Sequence, residues 1–146
     1  MSRRVVVTGL GAISPNGIGK NNFWENTCKG ISGIRRISSF DPSGLSCQIA
    51  GEVQDLDPAE YFPEVDLKKL PRAVPLAIAA SKEALQDAAI NLEQFDEEDF
   101  ESLGVIVGTG GAGFDFSEQQ FEIYFSGRKN KISPYAISNS LVGMLS

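Results

Sequence analysis

Histidine and cysteine are the side chains that most often perform acid–base, nucleophilic and metal chemistry, and this chain supplies few of them. Its 146 residues include no histidine and two cysteines, Cys28 and Cys47. The cysteines lack Cys-x-x-Cys spacing, so a zinc site would have to combine scattered cysteines with carboxylates. A disulfide is conceivable, although no secretory signal supports an oxidising compartment. We therefore expect no metal site and no cofactor.

Two glycine-rich loops could hold a ligand through their backbone amides. Gly9 and Gly11 follow the valine run at residues 5–7, which is half of the dinucleotide-binding fingerprint. The third glycine is missing, and the Pro-Asn-Gly sequence at residues 15–17 prevents a helix from opening at the second glycine. A helix N-terminus there would hold the pyrophosphate. This loop therefore disfavours a dinucleotide-binding module.

The second loop has four glycines in the six residues 108–113. It lacks the Gly-Lys-Ser/Thr ending by which a phosphate-binding loop supplies a positive charge and a magnesium ligand. Such a loop serves either tight packing at a strand end or close approach of the backbone to a ligand. The sequence leaves both interpretations open.

The charge balance argues against nucleic-acid binding. Thirteen basic and nineteen acidic residues give a net charge of −6, opposite to what a duplex requires. The basic cluster at residues 127–131 is expected to be solvated surface, or else a patch that suits an acidic carrier protein. No apolar run approaches the roughly 20 residues of a membrane span, so we expect a soluble, cytoplasmic protein.

Periodicity predicts alternating strands and helices. An alanine stripe (Ala73, Ala77, Ala80, Ala84, Ala88) predicts a buried helix over about residues 74–90 that a neighbouring backbone approaches closely. Buried strands are expected at residues 5–7 and 104–107, and an edge strand near 47–53. Two further helices are expected, at 21–29 (closed by Gly30) and at 117–125. The remaining segments are predicted to be a connection at 58–63 and a solvated acidic linker at 93–101. Strand, helix and strand at this spacing predict a parallel α/β arrangement.

Taken in order, these segments resemble one family. Residues 4–11 (Arg-Val-Val-Val-Thr-Gly-Leu-Gly) with residues 14–17 (Ser-Pro-Asn-Gly) look like the opening of β-ketoacyl-acyl-carrier-protein synthases, particularly the type II enzymes. Further motifs fall in the family's order at residues 23–24, 30–34, 108–110, 131–135 and 138–144. The resemblance covers essentially the whole chain.

The resemblance implies a fold, a reaction and partners. The fold would be the N-terminal portion of a thiolase-like α/β fold, a mixed sheet with buried and flanking helices that is incomplete without its second half. The reaction would be decarboxylative Claisen condensation of an acyl thioester with malonyl-acyl-carrier protein, normally in a homodimer. It requires a cysteine at a helix N-terminus, where the macrodipole favours thiolate. It also requires two histidines that stabilise charge on the thioester oxygen.

Those catalytic residues are absent from this chain. In the family the cysteine follows shortly after residue 146 and the histidines lie in the second half. Cys28 falls in the first helix and Cys47 near an edge strand, so we expect both to be packing residues. The prediction is a β-ketoacyl synthase N-terminal domain at residues 1–146, truncated before the catalytic cysteine and inactive alone. A piece of a longer enzyme is favoured over a naturally short chain.

Departures from the family pattern bear on the substrate. By resemblance Gly111, Tyr135 and Ala136 would line the acyl tunnel. Relatives often carry a bulky aliphatic residue in place of Gly111 and a second aromatic residue in place of Ala136, so both changes remove volume, unless neighbouring residues refill it. Pro71 and Ala73 replace an acidic and an aromatic residue, which leaves the start of the long helix open. Gly143 replaces an asparagine near the dimer interface.

Two other functions remain alternatives. A non-catalytic partner that resembles chain-length factors would keep the fold and lack the cysteine. An unrelated small-ligand or nucleotide-binding module is disfavoured by the glycine loops.

Overall fold

A computed structural model describes residues 3–57, 61, 70–111 and 113–140. The described residues divide into two compact units. The first comprises those within 1–57 and 79–91, and the second those within 58–78 and 92–140. Apart from residue 61, the predicted connection at residues 58–63 lies outside the described residues, as does Gly143.

The first unit contains two antiparallel hairpins. Strands β1 (Ile13–Ser14) and β2 (Gly17–Ile18) pair across a two-residue turn at Pro15 and Asn16. This hairpin stands where a dinucleotide-binding helix would begin, which confirms the argument against that module. Strands β3 (Ile34–Arg36) and β4 (Ile49–Gly51) form the second hairpin, and β4 confirms the predicted short strand near residues 47–53.

Helix α1 (Lys20–Cys28) agrees with the predicted helix at residues 21–29. Its C-terminus is a Schellman motif: Gly30 has φ 67°, its amide donates to the Thr27 carbonyl at 3.1 Å, and the Ile31 amide donates to the Asn26 carbonyl at 2.9 Å. The predicted role of Gly30 as the residue that closes the helix is confirmed.

Helix α2 (Ala73–Asp87) is the predicted long helix and ends three residues earlier than expected. Ala89 has φ 55°, and the Ile90 amide donates to the Leu85 carbonyl at 2.9 Å. This is a Schellman motif in which alanine occupies the left-handed position that glycine usually fills. The turn ends the helix although residues 88–90 have helical character.

In the second unit the segment at residues 93–101 is solvent-exposed, as predicted, but it is not the linker that the acidic composition suggested. A 3₁₀ turn (Leu92–Gln94) is followed by helix α3 (Glu97–Ser102). Asp96 and Asp99 form a capping box: the Asp99 amide donates to Asp96 Oδ1 at 2.9 Å, and the Asp96 amide donates to Asp99 Oδ2 at 3.3 Å. The acidic residues that suggested a solvated crossing are exposed, and they also stabilise the start of a helix.

Helix α4 (Phe114–Phe125) includes the predicted helical segment at 117–125 and begins three residues before it. Gly113 precedes the helix in a left-handed conformation, with φ 90°. Phe116 is buried, as is Asn139 in the 3₁₀ turn Ser138–Ser140.

The two buried strands predicted at residues 5–7 and 104–107 are not formed. Val5 is 91% exposed and Ile106 is 98% exposed. A buried strand needs a neighbouring strand to satisfy its amides and a layer to cover its side chains, and within the described residues neither segment has them. The parallel arrangement predicted from these strands was therefore wrong for the described part of the chain, in which the strands pair antiparallel.

Candidate active-site region

The N-terminal glycine loop packs directly against helix α2. A Cβ atom added to Gly9 would lie 2.2 Å from the Ala84 carbonyl oxygen, and one added to Gly11 would also collide with the helix backbone. Ala79, on the same helix, is completely buried. Small residues on both surfaces allow this approach, which confirms the prediction made from the alanine stripe.

Carboxylates of α2 accept hydrogen bonds from the backbone amides of the glycine loop. The Leu10 amide donates to Asp87 Oδ2 at 3.0 Å, and the Ala12 amide donates to Glu83 Oε2 at 2.8 Å. A dinucleotide-binding loop would offer such amides to a phosphate. Here they are satisfied by negative charges that would repel one, so the loop is a structural element of the first unit.

Lys20 joins the same network at the start of α1. Its amide donates to Glu83 Oε1 at 2.7 Å, so Glu83 caps this helix with a negative charge. Its Nζ atom forms an ion pair with Asp87. The hydrogen bond from the Lys20 side chain, followed by that from the Leu10 amide, lowers the pKa of the Asp87 carboxyl group. Sequence reasoning missed this network, although Glu83 and Asp87 lie one turn apart on the alanine-rich helix.

In the second glycine loop, Gly113 is the position at which the structure most clearly requires glycine. Besides the positive φ of this residue, a Cβ atom on it would lie 2.3 Å from the Asn139 carbonyl oxygen. Gly108 and Gly110 have open space where a Cβ atom would stand. Gly113 thus combines an unusual backbone angle with close packing, which favours the packing interpretation over a phosphate site.

An apolar cleft of about 360 Å³ lies in the second unit. Helix α4 forms one wall and residues 132–140 form the other. The lining residues are Ser117, Gln120, Phe121, Tyr124, Ile132, Ala136, Ile137 and Ser140. A cleft with mostly apolar walls and a few polar groups is suited to a small apolar ligand or chain.

Gln120 ties the two walls of the cleft together. Its Oε1 atom accepts a hydrogen bond from the Ser133 amide at 2.8 Å. Ser133 begins the turn that carries the predicted site residues, because its Oγ accepts from the Tyr135 amide at 3.1 Å and its carbonyl accepts from the Ala136 amide at 3.0 Å. One side-chain amide therefore helps to hold this turn against α4.

The three residues predicted for the acyl tunnel lie in different surroundings. Ala136 lines the cleft, whereas Gly111 and Tyr135 are not among its lining residues. The side chain of Tyr135 is exposed. A Cβ atom on Gly111 would stand 3.2 Å from Cδ2 of Phe114, whose ring is itself exposed.

The unusual start of α2 is stabilised from another helix. The Arg72 amide donates to Asp115 Oδ2 at 2.9 Å, and the Val74 amide donates to the carbonyl of the fully buried Pro71 at 3.0 Å. The resemblance leads us to expect an acid in the position of Pro71. Here Asp115, from the first turn of α4, brings a carboxylate to the same helix end.

The prediction that both cysteines are buried packing residues was wrong. Cys28 and Cys47 are free and exposed. Cys28 is the last residue of α1, a helix with no buried residue, and Cys47 precedes β4 on an exposed hairpin. Falling within a helix or near a strand did not suffice to bury them. Neither lies in the cleft.

Sequence comparison assigns the chain to a family. Residues 2–146 match the family described as β-ketoacyl synthase, N-terminal domain, and the chain belongs to that family. It is 33% identical to 3-oxoacyl-[acyl-carrier-protein] synthase 2 of Synechocystis sp., over 99% of this chain and 34% of the relative. It is 37% identical to the tetracenomycin polyketide synthase ketoacyl synthase beta subunit of Streptomyces glaucescens, over 90% of this chain and 31% of the relative.

Solved structures agree with this assignment. The ishigamide ketosynthase/chain length factor matches 99% of this chain and 35% of its own, with a TM-score of 0.74 and 31% identity. A second solved structure is a type II polyketide synthase acyl-carrier protein in complex with its ketosynthase. One chain of that structure matches this chain with a TM-score of 0.75 and 27% identity, and the match covers 99% of this chain and 34% of that chain. The predicted fold class, part of a thiolase-like α/β fold, is confirmed. The chain spans about a third of the relatives it matches.

Among the described residues, none of the helices is long and apolar enough to cross a membrane.

Proposed function

We propose that this chain is the N-terminal part of a 3-oxoacyl-acyl-carrier-protein synthase that condenses an acyl thioester with malonyl-acyl-carrier protein, with loss of carbon dioxide, in fatty-acid or polyketide biosynthesis. The family match across residues 2–146 carries the proposal. The matched relatives include several proteins named 3-oxoacyl-acyl-carrier-protein synthase 2.

In this proposal residues 1–146 form the N-terminal domain and contribute structure and part of the acyl-binding wall. The nucleophilic cysteine and the two histidines lie elsewhere in the whole protein. Ala136 provides a wall of the acyl site, with Gly111 and Tyr135 as further candidates from the resemblance. The isolated chain is inactive in condensation because it supplies no histidine and because Cys28 and Cys47 both lie outside the cleft.

Exposed apolar side chains support the proposal that more of the protein covers these residues. In the first unit Val5, Val6 and Val7 are exposed, and in the second unit Val105 and Ile106 are exposed. Runs of β-branched residues are typical of buried strands. Their exposure is costly in water and is relieved if further strands pair with them.

We also propose an acyl-carrier protein as partner, a homodimer as assembly and the cytoplasm as location. The carrier is supported by the related ketosynthase whose structure contains one. The basic residues 127–131 offer a surface of suitable charge, although Lys129 Nζ lies 4.6 Å from the centroid of the Tyr124 ring. An acidic carrier would have to compete with that cation–π contact.

A non-catalytic partner subunit is the second candidate. Two matched proteins support this candidate: one relative is named a ketoacyl synthase beta subunit, and one matched structure is described as a ketosynthase/chain length factor. Such a protein would pair as a heterodimer with an active synthase and would itself lack the nucleophile.

The two candidates are distinguished by acylation of the full-length protein. The protein is incubated with an acyl-acyl-carrier protein, digested and analysed by mass spectrometry. The enzyme proposal predicts an acyl adduct on a cysteine other than Cys28 and Cys47, and its replacement by alanine should abolish the adduct. A partner subunit would form no adduct but would support condensation by a catalytic subunit. Failure of both assays would refute both proposals.

A further inference from the structure

Asn16 is followed by Gly17 in the first hairpin, and this is the chain's only Asn-Gly sequence. The backbone nitrogen of a glycine can attack the side-chain carbonyl carbon of the asparagine before it, because glycine has no side chain to hinder the approach. The bond from Gly17 N to Asn16 Cγ forms as the Cγ–Nδ2 bond breaks. The Gly17 amide proton goes to a solvent base, and Nδ2 takes up a proton and leaves as ammonia. Water then opens the succinimide to aspartate or isoaspartate.

Helix α1 holds the side chain of Asn16. The Nδ2 group donates to Thr27 Oγ1 at 3.2 Å. The hydroxyl hydrogen of Thr27 is used in a hydrogen bond to the Phe23 carbonyl at 2.7 Å, so Thr27 Oγ1 can only accept from Asn16. The orientation of the amide is therefore fixed, with Nδ2 and not Oδ1 on the side of Thr27.

The backbone of the same turn is held as well. The Asn16 carbonyl accepts from Asn26 Nδ2 at 2.6 Å, and the Asn16 amide donates to Ser14 Oγ at 3.1 Å. A Cβ atom added to Gly33 would lie 2.6 Å from the carbonyl carbon of Pro15, so a further segment lies directly against the turn. Closure of the succinimide ring requires rotation of the Asn16 side chain and of the peptide unit that follows it, and both rotations would break these contacts.

The surroundings of Asn16 Oδ1 also oppose the reaction. Attack on Cγ places negative charge on Oδ1, and donors directed at such an oxygen accelerate reactions of this kind. Oδ1 is buried from water, and no donor among the described residues reaches it. The folded conformation therefore gives the developing charge no stabilisation.

We propose that Asn16 is a site of spontaneous deamidation whose reaction requires the β1–β2 turn to separate from α1. The modification then accumulates in molecules whose first unit has opened, at a rate set by the fraction of open molecules. Its product is a carboxylate that cannot donate to Thr27 and that places a charged oxygen in a buried position, so the original contacts do not form again. This inference is independent of the proposed function, because it involves only the folding of the first unit.

Tryptic digestion isolates the site. The peptide of residues 5–20 contains Asn16 as its only side-chain amide, so conversion of that amide to an acid, measured by mass spectrometry, reports on Asn16 alone. The folded full-length protein is incubated at pH 8 beside a synthetic peptide of residues 5–20. Because more than one hydrogen bond must break in the folded protein, its deamidation should be at least about 10-fold slower than that of the peptide.

Substitutions in α1 test the contacts one at a time. Thr27→Val removes the acceptor for Nδ2, and Asn26→Ala removes the donor to the Asn16 carbonyl. Each should accelerate deamidation of the folded protein by about 2- to 10-fold, the range expected for one hydrogen bond. Thr27→Ser keeps the hydroxyl and should react as slowly as wild type. Asn21→Ala, at an exposed position of the same helix, is the matched control, and urea midpoints identify any acceleration that comes from global unfolding.

Three results would overturn the inference. The folded protein could deamidate as fast as the peptide, the peptide itself could stay intact at pH 8, or folded Thr27→Val and Asn26→Ala variants could react no faster than wild type. The consequence of the modification is tested with Asn16→Asp, which should lower the urea midpoint. Asn21→Asp, in the first turn of α1, should not lower it. Equal midpoints for wild type and Asn16→Asp would show that the turn keeps its contacts after deamidation, contrary to the proposal.

Discussion

The backbone at Gly11 lies so close to helix α2 that a Cβ atom on Gly11 would stand 1.9 Å from the carbonyl oxygen of Ala80. Real Cβ atoms essentially never approach a backbone oxygen to that distance. The contact therefore requires glycine because of space and not because of backbone angle, since Gly11 has no positive φ.

Replacing Gly11 by alanine should destabilise the full-length protein by about 1–3 kcal/mol or prevent folding, because the glycine loop and helix α2 would have to move away from each other. Urea denaturation measures the loss. Gly44→Ala is the control, since a Cβ atom at Gly44 meets nothing within 4 Å. Equal stability of the two variants would show that the loop does not pack on α2 as described.

The double acceptance by Glu83 gives a second prediction. Its two carboxylate oxygens accept from the Ala12 and Lys20 amides. Glu83→Gln leaves only one acceptor oxygen, so one amide loses its partner, and the free energy of unfolding should fall by about 1–3 kcal/mol.

The control for Glu83 is Glu25→Gln, which breaks an exposed ion pair with Lys29 on the surface of α1. Such surface pairs contribute at most about 1 kcal/mol. If Glu83→Gln costs no more than Glu25→Gln in urea denaturation, the carboxylate network does not hold the loop.

Local sequence patterns predicted the elements whose stability is local. The alanine stripe predicted α2 and its close neighbour, and Gly30 marked the end of α1. Both follow from periodicity and from the properties of glycine and alanine. The capping box of Asp96 and Asp99 was also readable, yet the acidic composition of the segment suggested a linker.

Local sequence patterns could not predict which segments lie beside one another in the fold. The valines at residues 5–7 read as a buried strand, but burial depends on which segments lie beside them. The exposure of Cys28 likewise depends on what α1 packs against. For the site, the resemblance selected Ala136, whereas the hydrogen bond between Gln120 and Ser133 joins residues 13 positions apart and has no short-range pattern.

The Glu52 carboxylate predicts an acid-sensitive contact in the first unit. Hydrogen bonding from Ser39 and Ser38 lowers the pKa of Glu52 from 4.5 to about 2. Because the folded-state pKa is below the unfolded value, the stabilisation is present above about pH 4.5 and is lost as the pH falls toward 2. The contact holds the loop after β3 to the residue that follows β4.

Comparison of wild type with Glu52→Gln tests this dependence. The difference in urea midpoint should be constant between pH 6 and 8 and should shrink as the pH falls below about 4.5. A difference that grows on acidification would contradict the assignment. Glu25→Gln again serves as the control.

Acyl-chain selectivity should respond to the volume at Ala136. Ala136→Phe fills part of the cleft, so kcat/KM should shift toward shorter acyl donors, by about 1–3 kcal/mol for each methylene excluded. Gly111→Ile should act in the same direction if Gly111 faces the acyl tunnel as the resemblance implies, after the exposed Phe114 ring moves aside.

The control for chain length is Gly110→Ile, because a Cβ atom at Gly110 meets nothing within 4 Å. A ladder of acyl-acyl-carrier-protein donors measures the ratio of long-chain to short-chain turnover. An unchanged ratio in a correctly folded Ala136→Phe variant would exclude the cleft as the acyl site.

The proposal that this chain belongs to a condensing enzyme is tested most directly by carbon dioxide release. The full-length protein, or its heterodimer with a catalytic subunit, is incubated with acyl- and malonyl-acyl-carrier proteins whose malonyl carboxyl group carries a radioactive carbon. We predict release of labelled carbon dioxide in equal amount to the 3-oxoacyl product, and neither from residues 1–146 alone. Condensation by residues 1–146 alone, or its absence from both assemblies, would contradict the account.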